Sequence, residues 1–145
     1  MIRAIEKYAL LICWFIALIA MLSTLFASEV LHWPVCSLCW YQRIAIYPMV
    51  LLLGMAAYRN ETNIISYVIP FSVIGFLFAV YQYLEQMIPG FAPIDFCTPT
   101  VPCDVTHLKL FGFITIPFLS ALACLIIFLL LLVVKRSASA NDRNV

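Results

Sequence analysis

The cysteines are the residues of this chain whose type and spacing could do chemistry. Cys36 and Cys39 form a C-x-x-C motif with Arg43 shortly after it, and Cys97 and Cys103 form a C-x5-C motif in a proline-rich stretch. A thiolate can attack a disulfide and take over the bond, so two such pairs can pass a disulfide from one to the other. We therefore predict thiol–disulfide exchange, with all four cysteines redox-active.

Two other uses of these cysteines are open. Together they could bind zinc, but structural zinc sites favour two to four residues between cysteines, and the second motif has five; we predict no metal. Either pair could also be a structural disulfide. The small ring that a Cys36–Cys39 disulfide would close constrains an unfolded chain little. For Cys97 and Cys103, a structural disulfide that stabilises the loop remains a fair interpretation.

The segment around the first motif indicates a reactive thiol. Pro34 favours the first turn of a helix, which would place Cys36 and Cys39 where free backbone N–H groups and the helix dipole favour a thiolate. Arg43 lies four residues beyond Cys39 and on the same helical face. Its guanidinium would add positive charge or donate to an oxygen of a bound electron acceptor.

The electron acceptor should lie in the membrane. The sequence has no P-loop, dinucleotide fingerprint, serine-nucleophile elbow or H-E-x-x-H zinc motif. Trp40, Tyr41 and the apolar residues after them adjoin the thiols, although each aromatic residue alone also suits a membrane interface. A lipid quinone is therefore the predicted cofactor.

Membrane-spanning helices must position these residues. Of the 145 residues, 66% are hydrophobic and 10% are charged, with a mean hydropathy of +1.08, which is more than a soluble chain can bury. The long apolar runs lack the alternation of strands. We predict an all-α polytopic membrane protein, an antiparallel bundle of four transmembrane helices in one domain of residues 1–145. The predicted spans are about 8–27, 39–58, 64–83 and 112–134, and the outer loops are about 28–38 and 84–111.

Charge predicts the orientation of this bundle. The basic residues on the side of both termini are Arg3, Lys7, Arg59, Lys135, Arg136 and Arg143, against Arg43 and Lys109 on the side of the cysteine motifs. Because lysine and arginine mark cytoplasmic loops, we expect cytoplasmic termini and extracytoplasmic cysteine loops, where paired thiols oxidise. A cleaved signal peptide is the alternative for the first span, but its apolar run exceeds an ordinary signal core.

Other features suggest no further chemistry. The net charge of +1 does not indicate a nucleic-acid partner. Cys13 and Cys124 stand singly within predicted spans, so we expect them to be small apolar packing residues.

The pattern resembles the DsbB-type disulfide bond formation proteins, specifically their short BdbC-like branch. The resemblance covers nearly the whole chain: four spans, outward cysteine loops, the Cys36-x-x-Cys39 block followed by Tyr41 and Arg43, and a second pair between the third and fourth spans. It implies a quinone-dependent protein-disulfide oxidoreductase of the bacterial inner or plasma membrane. The implied cofactor is menaquinone or ubiquinone, and the implied partner is a secreted or membrane-tethered thioredoxin-like (DsbA-type) thiol oxidase.

The resemblance also implies a role for each motif residue. Cys39 matches the cysteine that reacts with quinone, Arg43 matches the arginine beside that quinone, and Cys36 matches the partner of Cys39. Cys97 resembles the cysteine attacked by the soluble oxidase, and Cys103 resembles its partner. The implied cycle carries electrons from the soluble oxidase through the second pair to the first pair and then to quinone, which leaves the oxidase able to introduce disulfides into secreted proteins.

One departure and two rival functions stay open. In the longer Gram-negative members the second pair is more widely separated, so the tight spacing of Cys97 and Cys103 leaves the order of exchange open. The main rival function is a non-enzymatic four-span scaffold with structural loop disulfides. The other is a reductive relay that carries electrons outward, for which the chain lacks a cytoplasmic-side or intramembrane cysteine pair.

Overall fold

Four long helices make up most of the chain. The computed structural model describes residues 2–88, 90, 91, 100, 106 and 109–143, with side chains from Ala4 onward. The helices are α1 (Ile2–Glu29), α2 (Ser37–Arg59), α3 (Ile65–Met87) and α4 (Ile116–Arg143), with a 3-10 turn at Thr62–Ile64. The shortest have 23 residues, about 35 Å of rise against about 30 Å of hydrocarbon. All four are long and apolar enough to cross a membrane.

The helices form an antiparallel bundle. Helix α1 packs against α2 and α4, and α3 also packs against α2 and α4, so α2 and α4 stand on opposite sides of the bundle. The end of the bundle that contains the start of α2 is called the cysteine end below. The predicted all-α four-helix architecture is confirmed.

The packed core lies away from the cysteine end. It uses small residues where helices approach closely, which is typical of helix packing in membranes. At Gly75 of α3, an added Cβ would lie 3.0 Å from Cys124 Sγ on α4 and 3.4 Å from Ala45 Cβ on α2. The buried core residues are Leu10, Cys13, Ala17, Ile46, Met49, Val50, Leu53, Ala56, Ala57, Ile65, Val68, Cys124, Ile127, Leu131 and Val134.

The starts of α4 and α2 differ from those of the predicted spans. Helix α4 starts at Ile116 rather than at residue 112, because Phe111 (φ 52°) and Gly112 (φ 85°) form a left-handed turn. That turn is closed by backbone hydrogen bonds in both directions between Leu110 and Ile114. Helix α2 starts at Ser37, just before the predicted span of about 39–58, and Cys36 precedes it with extended backbone angles.

Candidate functional site

The first cysteine motif forms the N-terminus of α2. Cys36 is the N-cap residue, with φ −75° and ψ 166°, and its Sγ accepts a hydrogen bond from the Cys39 backbone N–H at 3.4 Å. A thiol here fills the role of the serine or threonine oxygen that usually caps a helix. The Cys36 and Cys39 Sγ atoms are 2.8 Å apart, so the pair can form a disulfide without a change in the helix backbone.

Helix α3 packs against this pair. Cys36 is only 5% exposed and Leu38 is fully buried, and the two form a small buried cluster against which Phe78 and Tyr81 of α3 pack. The hydrogen bond with Cys39 and then burial raise the pKa of the Cys36 thiol above its ordinary value. Cys36 therefore keeps its proton at neutral pH when the pair is reduced.

A glutamine on α3 contacts both sulfurs. Gln82 is 3% exposed, and its Nε2 lies 3.3 Å from the Sγ atom of Cys36 and 3.3 Å from that of Cys39. Its Oε1 accepts a hydrogen bond of 2.7 Å from Nε2 of Gln42, one turn into α2. The Gln42 contact fixes the orientation of the Gln82 amide, so that its N–H groups point toward the sulfurs.

Arg43 is anchored beside the motif. Its side chain is 8% exposed, and Nη2 donates to the Thr24 carbonyl of α1 at 2.7 Å. The guanidinium carbon lies 5.5 Å from the ring centroid of Trp40, within cation–π range. A buried guanidinium has five N–H donors, so this anchoring leaves donors for an acceptor oxygen.

A large apolar cavity joins these groups. It has a volume of about 840 Å³ and is lined by residues of all four helices, including Cys36, Cys39, Gln42, Arg43 and Gln82. Its lining also includes apolar side chains of α1 and α4 that are exposed on the outside of the bundle: Ile19, Leu22, Phe26 and Leu119. The cavity is therefore open to the surface that the bundle presents to lipid.

The cavity wall also carries polar atoms without partners. Gln86 Oε1, Thr115 Oγ1 and Ser120 Oγ are buried, accept or donate no hydrogen bond, and belong to cavity-lining residues. Most buried polar groups in proteins are hydrogen-bonded. This arrangement suits a ligand with an apolar body and a few oxygen atoms.

The structure brings together three of the residues singled out from the sequence. Cys36, Cys39 and Arg43 line one cavity, whereas Cys97 and Cys103 lie outside the residues that the structure describes. The single cysteines, Cys13 and Cys124, are buried in the apolar core, as predicted.

Sequence reasoning missed the glutamines. Gln42, Gln82 and Gln86 are polar residues within or at the ends of otherwise apolar spans. Polar residues in such positions are costly and usually functional. That rule, applied to amides as well as to charges, would have found Gln42 and Gln82, whereas Gln86 lies beyond the predicted span of about 64–83.

Comparison with known proteins gives a consistent result. A family profile described as "Disulfide bond formation protein DsbB" matches residues 6–134. A probable disulfide formation protein of Coxiella burnetii is 56% identical over 125 residues, covering 86% of this chain and 85% of the relative. Disulfide bond formation protein C of Bacillus subtilis is 44% identical over 126 residues, covering 87% of this chain and 91% of the relative. No solved structure gives a significant match.

Proposed function

The chain belongs to the DsbB family of disulfide bond formation proteins, which makes it a membrane thiol–disulfide oxidoreductase, and from this premise we propose its electron path. Electrons enter from a reduced thioredoxin-like thiol oxidase at Cys97 and Cys103. They pass to Cys36 and Cys39 and leave on a membrane quinone. The reoxidised partner then introduces disulfides into secreted proteins.

The observation that carries this proposal is the shared cavity. The reactive pair and the Arg43 guanidinium line the same apolar space, and that space opens toward lipid. A quinone headgroup with its isoprenoid tail has the matching chemistry, because the ring and tail are apolar and the carbonyl oxygens accept hydrogen bonds. When bound, a quinone takes up two electrons and two protons and leaves as a quinol. Arg43 would hold one of its oxygens next to Cys39.

The thiol steps balance without an additional reagent. The partner's dithiol reduces the Cys97–Cys103 disulfide and becomes a disulfide itself. The resulting dithiol then reduces the Cys36–Cys39 disulfide, with each attack forming one S–S bond and breaking another. Finally, the Cys36–Cys39 dithiol gives up two electrons and two protons and closes its disulfide again. In each step at this pair, the Gln82 N–H groups stabilise the sulfur that carries negative charge.

The proposed orientation follows from charge. Arg59 lies at the end of the bundle opposite the cysteine motif, as does Lys135 near the end of α4. Because short loops rich in lysine and arginine stay in the cytoplasm, the cysteine end would face the extracytoplasmic side of the bacterial membrane. The soluble partner could reach the second cysteine pair there.

The test is quinone reduction by the purified protein in detergent, followed by absorbance, with a reduced thioredoxin-like dithiol protein as electron donor. Cys39→Ser should abolish turnover, and Arg43→Ala should weaken it. Cys13→Ala is the matched control, since it removes a buried thiol from the core and should retain turnover. Absence of turnover in a correctly folded wild-type protein, with several donors and quinones, would refute the proposal and favour the scaffold function.

A further inference from the structure

Three unpaired polar atoms belong to residues that line the cavity, one on α3 and two at the start of α4. Among the described residues, four buried side-chain oxygen or nitrogen atoms have no hydrogen-bond partner, and three of them are Gln86 Oε1, Thr115 Oγ1 and Ser120 Oγ. All three residues line the cavity. The fourth atom is Glu6 Oε1, near the start of α1.

Buried polar side chains elsewhere on α2 and α3 do find partners. Ser72, buried on α3, donates to the Ile69 carbonyl of its own helix at 2.8 Å. Gln42 and Gln82 pair with each other. The deficit of hydrogen bonds is therefore local, and it coincides with the space that the proposed function assigns to a quinone.

Thr115 is unusual for its position. It directly precedes α4, and its carbonyl accepts the first helical hydrogen bond, from the Leu119 N–H at 3.1 Å. A threonine at this position normally turns its hydroxyl onto the second or third N–H of the helix; because Pro117 has no N–H, the donor here would be Phe118. Here the side chain is 1% exposed and its hydroxyl makes no such bond, so the oxygen is available to a ligand in the cavity.

Hydroxyl groups suit a ligand that changes its redox state. A quinone oxygen accepts hydrogen bonds, whereas the quinol oxygen also donates one. Threonine and serine hydroxyls can both donate and accept, so Thr115 and Ser120 can bind either form. The Gln86 Oε1 atom can only accept, which suits the quinol.

The two sides of the cavity complement each other. Arg43 belongs to α2, whereas Thr115 directly precedes α4 and Ser120 belongs to it, and α2 and α4 stand on opposite sides of the bundle. The two oxygens of a para-quinone also lie on opposite sides of its ring. Building on the proposed function, we propose that Thr115 and Ser120 bind the quinone oxygen that Arg43 does not bind, with Gln86 as an additional acceptor for the quinol. These residues position the headgroup and take no part in the thiol chemistry.

The experiment measures binding separately from turnover. A water-soluble short-chain quinone is titrated against the disulfide form of the protein, which has no electrons to give, and tryptophan fluorescence is followed, since Trp33 lines the cavity. The double variant Thr115→Val, Ser120→Ala should bind about tenfold more weakly, equivalent to about 1.4 kcal/mol. Thr115→Ser keeps the hydroxyl and should retain wild-type affinity, as should Ser72→Ala, whose hydroxyl lies outside the cavity lining.

Thermal unfolding without added quinone gives a second readout. The double variant should unfold at a higher temperature than the wild type, because it removes two unpaired buried polar atoms, whereas Ser72→Ala should not be stabilised. Wild-type affinity in the double variant, an equal loss in Ser72→Ala, or a lowered unfolding temperature would overturn the inference while leaving the proposed function intact. Failure of the wild type to bind any quinone would overturn both.

Discussion

Replacing Gln82 with leucine should make the Cys36–Cys39 couple less oxidising. The Gln82 Nε2 atom is 3.3 Å from each sulfur, and a thiol or thiolate accepts such hydrogen bonds better than a disulfide does. Gln82 therefore stabilises the reduced form more than the oxidised form. Leucine has a similar size and cannot donate, so the reduced form should lose stability and the reduction potential should become more negative.

The size of the shift follows from the hydrogen bonds that the substitution removes. A hydrogen bond to a neutral or charged sulfur contributes about 0.5–3 kcal/mol, which corresponds to about 10–60 mV for this two-electron couple. The same substitution leaves the Gln42 amide, now bonded to Gln82 Oε1 at 2.7 Å, buried without that acceptor. It should therefore also lower the free energy of unfolding, by about 1–3 kcal/mol.

The two effects can be separated by a second substitution. Gln42→Leu combined with Gln82→Leu removes the unpaired amide, so it should restore much of the stability while the shift in potential persists. The potential is measured by equilibration with glutathione buffers and thiol alkylation, in a background with Cys97 and Cys103 replaced by serine so that a single pair titrates. Ser72→Ala, on the same helix, is the matched control.

One result would refute this reasoning. If the double variant regains both its stability and its wild-type potential, Gln82 acts only through packing. The same conclusion would follow if Gln82→Leu shifted the potential no further than Ser72→Ala. A persistent shift in the double variant would assign the effect to the hydrogen bonds on the sulfurs.

Three further predictions address the neighbouring groups. Arg43→Ala should raise the KM for a soluble quinone about tenfold or more, because it removes a hydrogen bond from a charged group. Arg43→Lys should bring the KM only part of the way back to the wild-type value. Steady-state kinetics measure both values. In the reduced protein at pH 7–8, N-ethylmaleimide should label Cys36 more slowly than Cys39, because the raised pKa of Cys36 keeps its thiol protonated. Mass spectrometry of peptides measures the two labelling rates, and equal rates would contradict the prediction. Gly75→Ala should lower the free energy of unfolding by about 1–3 kcal/mol through overpacking, since the added Cβ would lie 3.0 Å from Cys124 Sγ. Adding Cys124→Ala should recover most of the lost stability, which thermal unfolding measures.

Much of the site could be predicted from local sequence. The C-x-x-C spacing, the basic residue four positions after Cys39 and the length of the apolar runs depend on neighbours along the chain. The structure accordingly brings Cys36, Cys39 and Arg43 to one cavity. The position of Gln82 opposite the sulfurs could not be predicted in this way, because it depends on how α3 packs against α2. The start of α2, by contrast, is set locally, since Cys36 has extended backbone angles and its sulfur accepts a hydrogen bond from the Cys39 backbone N–H.

The division of the bundle into two halves explains how such a site can be maintained. The packed core lies toward the end opposite the Cys36–Cys39 pair, and small residues such as Ala56 and Gly75 let the helices approach closely. At the cysteine end, the cavity and its unpaired oxygens each reduce stability. The proposed quinone site would need polar atoms that can change partners between the two redox states, so full internal pairing there would compete with binding. The stability of the core therefore allows the cysteine end to keep hydrogen-bonding groups available for a ligand.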